Sequence, residues 1–111
     1  MKPKDFQKER QRLTDLTLSK ANLEIKRFFA LDHAAYSEGA LDAKTKEMLG
    51  LVASMVLRCD DCIRYHLDQC RNNGVNEAEL NEAFNIALVV GGSIVIPHLR
   101  RAVEYWELME N

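Results

Sequence analysis

The stretch Glu47-Met48-Leu49-Gly50-Leu51-Val52-Ala53-Ser54-Met55-Val56 decides the fold class. Its apolar residues, Met48, Leu49, Leu51, Val52, Met55 and Val56, recur at three- and four-residue steps and make one wide apolar helix face. Asp42 upstream is a good N-cap for that helix. Helical spacing continues outward in both directions. Toward the C-terminus a segment runs from about Cys59 to Asn72, and Asn73-Gly74 stops it. The next starts at Asn76, carries Glu77 and Glu79 where the helix dipole favours acids, and runs through Leu80, Phe84, Ile86, Ala87, Leu88 and Val89 to Gly91-Gly92. The last begins at Ser93, tolerates Pro97 in its first turn and ends near Glu110. Toward the N-terminus a segment from about Ser19 to Tyr36 carries Leu23, Ile25, Phe28, Phe29 and Leu31, with Ser19 as candidate cap and Glu38-Gly39 as its stop. Before it, about Pro3 to Leu18, lies a polar helix with a sparse stripe of Phe6, Leu13 and Leu16. Nothing alternates as a strand does. The expectation is an all-α bundle of five to six helices, one domain over residues 1–111.

Composition narrows the function classes. The chain has 111 residues, 47% hydrophobic and 29% charged, enough for a single modest core and too apolar for disorder. A net charge of -2 gives no general attraction to nucleic acid or to an anionic membrane. Lys2, Lys4, Lys8, Arg10 and Arg12 are interleaved with Asp5 and Glu9, which reads as a solvated helix face. The most apolar stretch, Ile86 to Pro97, is broken by Gly91-Gly92 and falls short of the roughly 20 residues that span a bilayer. No apolar run follows the start, so no signal peptide is expected and the cytoplasm is the expected location. There a close cysteine pair points to catalysis or metal binding rather than to a structural disulfide. The region Ile86–Ile96 is apolar almost all round, so contact between subunits is expected.

The chemistry concentrates in Cys59-Asp60-Asp61-Cys62-Ile63-Arg64-Tyr65-His66. On a helix, steps of three and four stay on one face, so Cys59, Cys62 and His66 line one stripe. Cysteines three apart suit a disulfide, a helix N-terminus favours a thiolate, and His66 one turn on can exchange its proton near neutral pH. Asp60 and Asp61 suit a first turn but oppose a thiolate beside them. The alternatives are a metal site and plain packing. For metal, Cys59 and His66 are roughly 10 Å apart along a straight helix, too far to share one zinc. Cys70 lies on the same stripe, roughly 12 Å beyond Cys62, and reads as structural. If the chain turns near Leu57-Arg58 and the flanking helices pack antiparallel, Glu47 and His66 stand at nearly equal heights. Glu47 would then orient His66; the other reading is a surface Glu following Lys44 and Lys46. His33 reads as a packed or surface residue. His98, after Pro97, is a weaker candidate that could approach a neighbouring subunit's site.

Glu47, followed after eleven residues by Cys59-x-x-Cys62-x-x-x-His66, resembles the active-site signature of the AhpD-like alkylhydroperoxidase family, part of the carboxymuconolactone decarboxylase superfamily. The likeness covers about Asp42 to His98. It implies an AhpD-like helical bundle, usually assembled as a homotrimer or homohexamer. It implies a thiol-dependent peroxidase or disulfide oxidoreductase in antioxidant defence, acting on a small hydroperoxide. The reductant would be a dithiol, lipoyl or thioredoxin-like partner. Carried over, Cys62 is the peroxidatic thiol, Cys59 resolves it, and Glu47 and His66 relay protons. No cofactor or metal is implied beyond the redox-active Cys59–Cys62 disulfide. This chain departs from the pattern at Asp60-Asp61, where well-studied relatives carry a further polar relay residue, often a His; weaker peroxide turnover follows as an expectation. The alternatives are a non-catalytic, redox-sensing oligomeric module, or decarboxylase-like chemistry using Glu47 and His66 alone.

Overall fold

The computed structural model describes residues 1–109. The order is α1 (Pro3–Lys20), α2 (Leu23–Ala35), α3 (Ala43–Val56), α4 (Asp60–Asn72), α5 (Glu77–Gly91), a 3-10 turn (Ser93–Val95) and α6 (Ile96–Leu108). Among the described residues there are six α-helices and no strand, as the periodicity predicts. The expected end of the last helix near Glu110 lies outside the described residues.

The caps explain most boundaries. Asp42 accepts from the Thr45 amide at 2.7 Å and starts α3. Asn76 and Glu79 form a reciprocal capping box at the start of α5. Gly74, at φ 79°, takes the left-handed conformation that closes α4. One expected boundary is wrong. Ser19 does not cap α2: α1 runs on to Lys20, and the Ser19 hydroxyl bonds back to the Leu16 carbonyl. The break comes at Ala21-Asn22, where the backbone is extended, and Asn22 caps α2 by accepting from the Ile25 amide. At its other end α2 stops at Ala35, ahead of Glu38-Gly39.

The core lies between α3, α4, α5 and α6. Leu51 and Met55 of α3, Ile63 and Leu67 of α4, Ala87 of α5, Val95 of the 3-10 turn and Tyr105 of α6 are all buried in it. Phe6 of α1 closes one end by an edge-to-face contact with Tyr105, ring centroids 5.9 Å apart. On the core side of α4, Asp68 accepts from the Tyr105 hydroxyl at 2.8 Å and from Gln7 at 3.0 Å, so this buried carboxylate is satisfied from α6 and α1 together. Helix α2 buries none of its residues; Phe28 is 68% and Leu31 65% exposed. The outer face of α5 is equally bare, with Val89 83% exposed. No helix among the described residues is long and apolar enough to cross a membrane.

Candidate active site

A tight reversal between α3 and α4 builds the site. Arg58 takes φ 59°, in the left-handed region, and the Cys59 amide donates to the Ser54 carbonyl at 3.0 Å. Cys59 is then the N-cap of α4, and its sulfur accepts from the Cys62 amide at 3.2 Å. The two cysteines are paired as a disulfide with Cα atoms 5.3 Å apart. Cys59 is half-buried and Cys62 exposed, so the pair sits at the surface within reach of a second molecule.

One turn beyond Cys62, His66 points inward. The antiparallel packing of α3 on α4 brings Glu47 and His66 together as the height argument predicts: His66 Nδ1 lies 2.8 Å from Glu47 Oε1. Both residues are buried, Glu47 at 5% exposure and His66 at 8%. A carboxylate only accepts, so Nδ1 carries the proton and donates to Glu47, leaving Nε2 as the acceptor of the neutral ring. The Tyr36 hydroxyl, at the end of α2, stands 3.4 Å from that Nε2. Burial, then the Glu47 charge, push the Tyr36 hydroxyl above its ordinary range and keep it a donor. Beneath Tyr36, Tyr65 and Glu47 opens a cleft of about 420 Å³, also lined by Asp32, His33 and Gln69.

Gly50 makes this arrangement possible. It lies one turn after Glu47, and a Cβ there would stand 2.6 Å from His66 Cε1 and 2.7 Å from the Tyr36 hydroxyl. In Gly50→Ala two effects compete. Helix propensity favours Ala by about 1 kcal/mol. Overpacking costs about 1–3 kcal/mol and pushes the imidazole off Glu47. We expect the clash to win, with turnover falling on the order of 100-fold while the helical circular dichroism is kept. A fully active and more stable variant would show that the imidazole position does not matter.

The remaining candidates separate. Cys70 is free and fully buried in the core; burial, then the Glu47 charge, push its thiol up to about 12, so it stays protonated and inert. His33 lines the cleft. His98 has a partner in its own chain: its Nδ1 lies 2.8 Å from Asp60 Oδ1. Arg101, one turn on, donates from Nε to Asp60 Oδ2 at 3.0 Å. The residues that sequence reasoning missed are thus Tyr36, Gly50 and Arg101. Of these, Gly50 alone left a trace, as a missing side chain one turn from Glu47. Among the described residues no group of three or more His, Cys, Asp or Glu side chains is arranged to hold a metal.

A small all-helical protein with a surface cysteine pair at a helix start, backed by a buried Glu–His pair on the neighbouring helix, defines a recognisable class. The chain belongs to the carboxymuconolactone decarboxylase family, whose model matches residues 25–105. Two crystal structures of one Thermotoga maritima protein are similar to it. The first is 60% identical with TM-score 0.92, covering 94% of this chain and 91% of that one. The second is 59% identical with TM-score 0.89, covering 93% and 87%; a part in an antioxidative response has been suggested for that protein. A Legionella pneumophila member of the same family is 25% identical with TM-score 0.86, covering 95% of this chain and 94% of that one. An uncharacterised protein of the Paracoccus denitrificans cox locus is 28% identical over 76 residues, 68% of either chain.

Proposed function

We propose that the protein is a thiol-dependent peroxidase that reduces a small hydroperoxide through Cys62, Cys59, Glu47 and His66. The observation that carries this reading is the buried Glu47–His66 hydrogen bond one turn behind an accessible disulfide. In the reduced enzyme the Cys62 thiol passes its proton to His66 Nε2, and Glu47 stabilises the resulting imidazolium. The Cys62 thiolate attacks one peroxide oxygen. The S–O bond forms, the O–O bond breaks, and the alkoxide leaves as alcohol after taking the relayed proton. Cys62 is now a sulfenic acid, oxidised by two electrons. The Cys59 thiolate attacks the Cys62 sulfur, the S–S bond forms, and hydroxide leaves as water. A dithiol, lipoyl or thioredoxin-like partner reduces the disulfide through a mixed disulfide and becomes oxidised in turn. No cofactor or metal enters these steps.

The bare faces of α2 and α5 support a homo-oligomer, trimer or hexamer. An apolar groove of about 640 Å³ between α3 and α5, walled by Met48, Val52, Val56, Ile86 and Val90, adjoins the exposed α5 face. The cytoplasm, where dithiol reductants are maintained, fits a cysteine pair that must be re-reduced each cycle. The test is steady-state consumption of cumene hydroperoxide with dithiothreitol as reductant. Turnover proportional to enzyme supports the proposal. Consumption no faster than with dithiothreitol alone, over several hydroperoxides and reductants, rejects it.

A further inference from the structure

Between the cysteines lies a charged cluster that the relay does not use. Asp60, first residue of α4 and next in the chain to Cys59, is held by two side chains of α6. His98 Nδ1 approaches Oδ1 at 2.8 Å, and Arg101 Nε donates to Oδ2 at 3.0 Å. Because the carboxylate only accepts, His98 donates from Nδ1. The 3.3 Å approach of Arg101 Nη2 to that same nitrogen then sets two donors side by side and is not a hydrogen bond. An acid at this position needs no cation to be stable, since the helix N-terminus already favours it. Two bases reaching it from another helix therefore call for a reason.

We infer that Asp60, His98 and Arg101 form an electrostatic control on the cysteine pair, in which Arg101 and His98 act through Asp60 to set how readily the two thiols ionise. With His98 neutral, Asp60 and Arg101 cancel. Remove the guanidinium and a negative charge stands beside the thiolate; remove the carboxylate and a positive one does. The Asp60 carboxyl answers to the same neighbours: burial pushes it up, but the His98 hydrogen bond and the Arg101 charge outweigh burial and hold it below its ordinary range. Other charged or titratable groups near the pair are Asp61 and His66 on α4, Glu47 of α3 behind His66, and Arg58 in the preceding turn. From α1, Arg10 packs instead over the Tyr65 ring at 3.9 Å. Arg101 and His98 are thus positioning residues. They offset the opposition of Asp60 to a thiolate.

The inference rests on reading the pair as redox-active, but its test uses no peroxide, so the two can fail separately. The reduced protein is alkylated with iodoacetamide across a pH series, and the rate at Cys62 is followed by mass spectrometry. Arg101→Gln is expected to slow alkylation at neutral pH by several-fold to about tenfold and to move the midpoint of the pH profile upward. Asp60→Asn is expected to quicken it by a similar factor and to move the midpoint downward. The double variant, with the charge balance restored, falls between the two singles and near the parent. Arg101→Lys keeps the charge without the fork and stays closer to the parent than Arg101→Gln. A purely structural role predicts that Asp60→Asn and Arg101→Gln shift the profile in the same direction, or that both lower thermal stability and leave the profile unmoved. Either result overturns the inference. If Arg101→Gln does not fold, Asp60→Asn decides alone, and an unchanged or slower alkylation rate overturns the inference.

Discussion

Cys62→Ser is expected to abolish peroxide consumption, and Cys59→Ser to stop after a single turnover. The two effects differ because the two sulfurs have different surroundings. Cys62 is exposed, lies inside the first turn of α4 and stands one turn from His66, so its thiolate meets both the helix dipole and a proton acceptor. A serine hydroxyl there is far too weakly acidic to take over, and the rate should fall to that of free reductant with peroxide. Cys59 is half-buried at the N-cap, with its sulfur already accepting from the Cys62 amide. In Cys59→Ser the hydroxyl keeps the cap, since serine is a preferred N-cap residue. The variant is therefore expected to stay folded, react with one equivalent of peroxide and stall as the sulfenic acid. A rapid burst of one equivalent, with a slow steady state, is the expected trace. Equal steady-state turnover by Cys62→Ser would remove Cys62 from the nucleophile's role.

Glu47→Gln should lower turnover by about 100- to 10,000-fold, the range spanned by general acid–base contributions. Gln keeps the shape of Glu and can still accept from His66 Nδ1, so the imidazole stays in its tautomer. What is lost is the negative charge that, on the proposed relay, would stabilise the imidazolium once His66 takes the Cys62 proton. Glu47→Ala is a poorer experiment. It leaves the buried His66 Nδ1–H without an acceptor, at a stability cost of about 1–3 kcal/mol, and mixes folding with catalysis. The measurement is steady-state turnover for Glu47→Gln beside its thermal midpoint. A large loss of rate with little loss of stability separates a relay from a packing role.

The helices were legible because their signals are local. Asp42 and Asn76–Glu79 mark helix starts by their own chemistry, and the spacing from Met48 to Val56 repeats within one helix. The proximity of Glu47 and His66 was legible for a related reason: both are counted from the same turn at Leu57-Arg58, and helical rise is fixed. Ser19 misled because hydroxyl residues cap helices and also bond back within them, and the sequence does not distinguish the two uses. The stripe of α2 was visible, but periodicity cannot tell a face turned to the chain's own core from one left bare. The contacts that complete the site were not legible. Tyr36 meets His66 across 30 positions, and His98 meets Asp60 across 38; only the packing of separate helices sets such pairs. Nor could the sequence show that α6 supplies Asp60 of the Asp60-Asp61 window with two bases.

A single-turnover experiment asks whether peroxide oxidises Cys62 and then Cys59 to one disulfide. The protein is reduced, freed of reductant and mixed with one equivalent of alkyl hydroperoxide, and the peptide carrying Cys59 and Cys62 is weighed. Stoichiometric alcohol, loss of two hydrogens from that peptide, and Cys70 still a free thiol are expected. Unreacted Cys59 and Cys62 with the peroxide intact, or oxidation spread equally over all three cysteines, would contradict it.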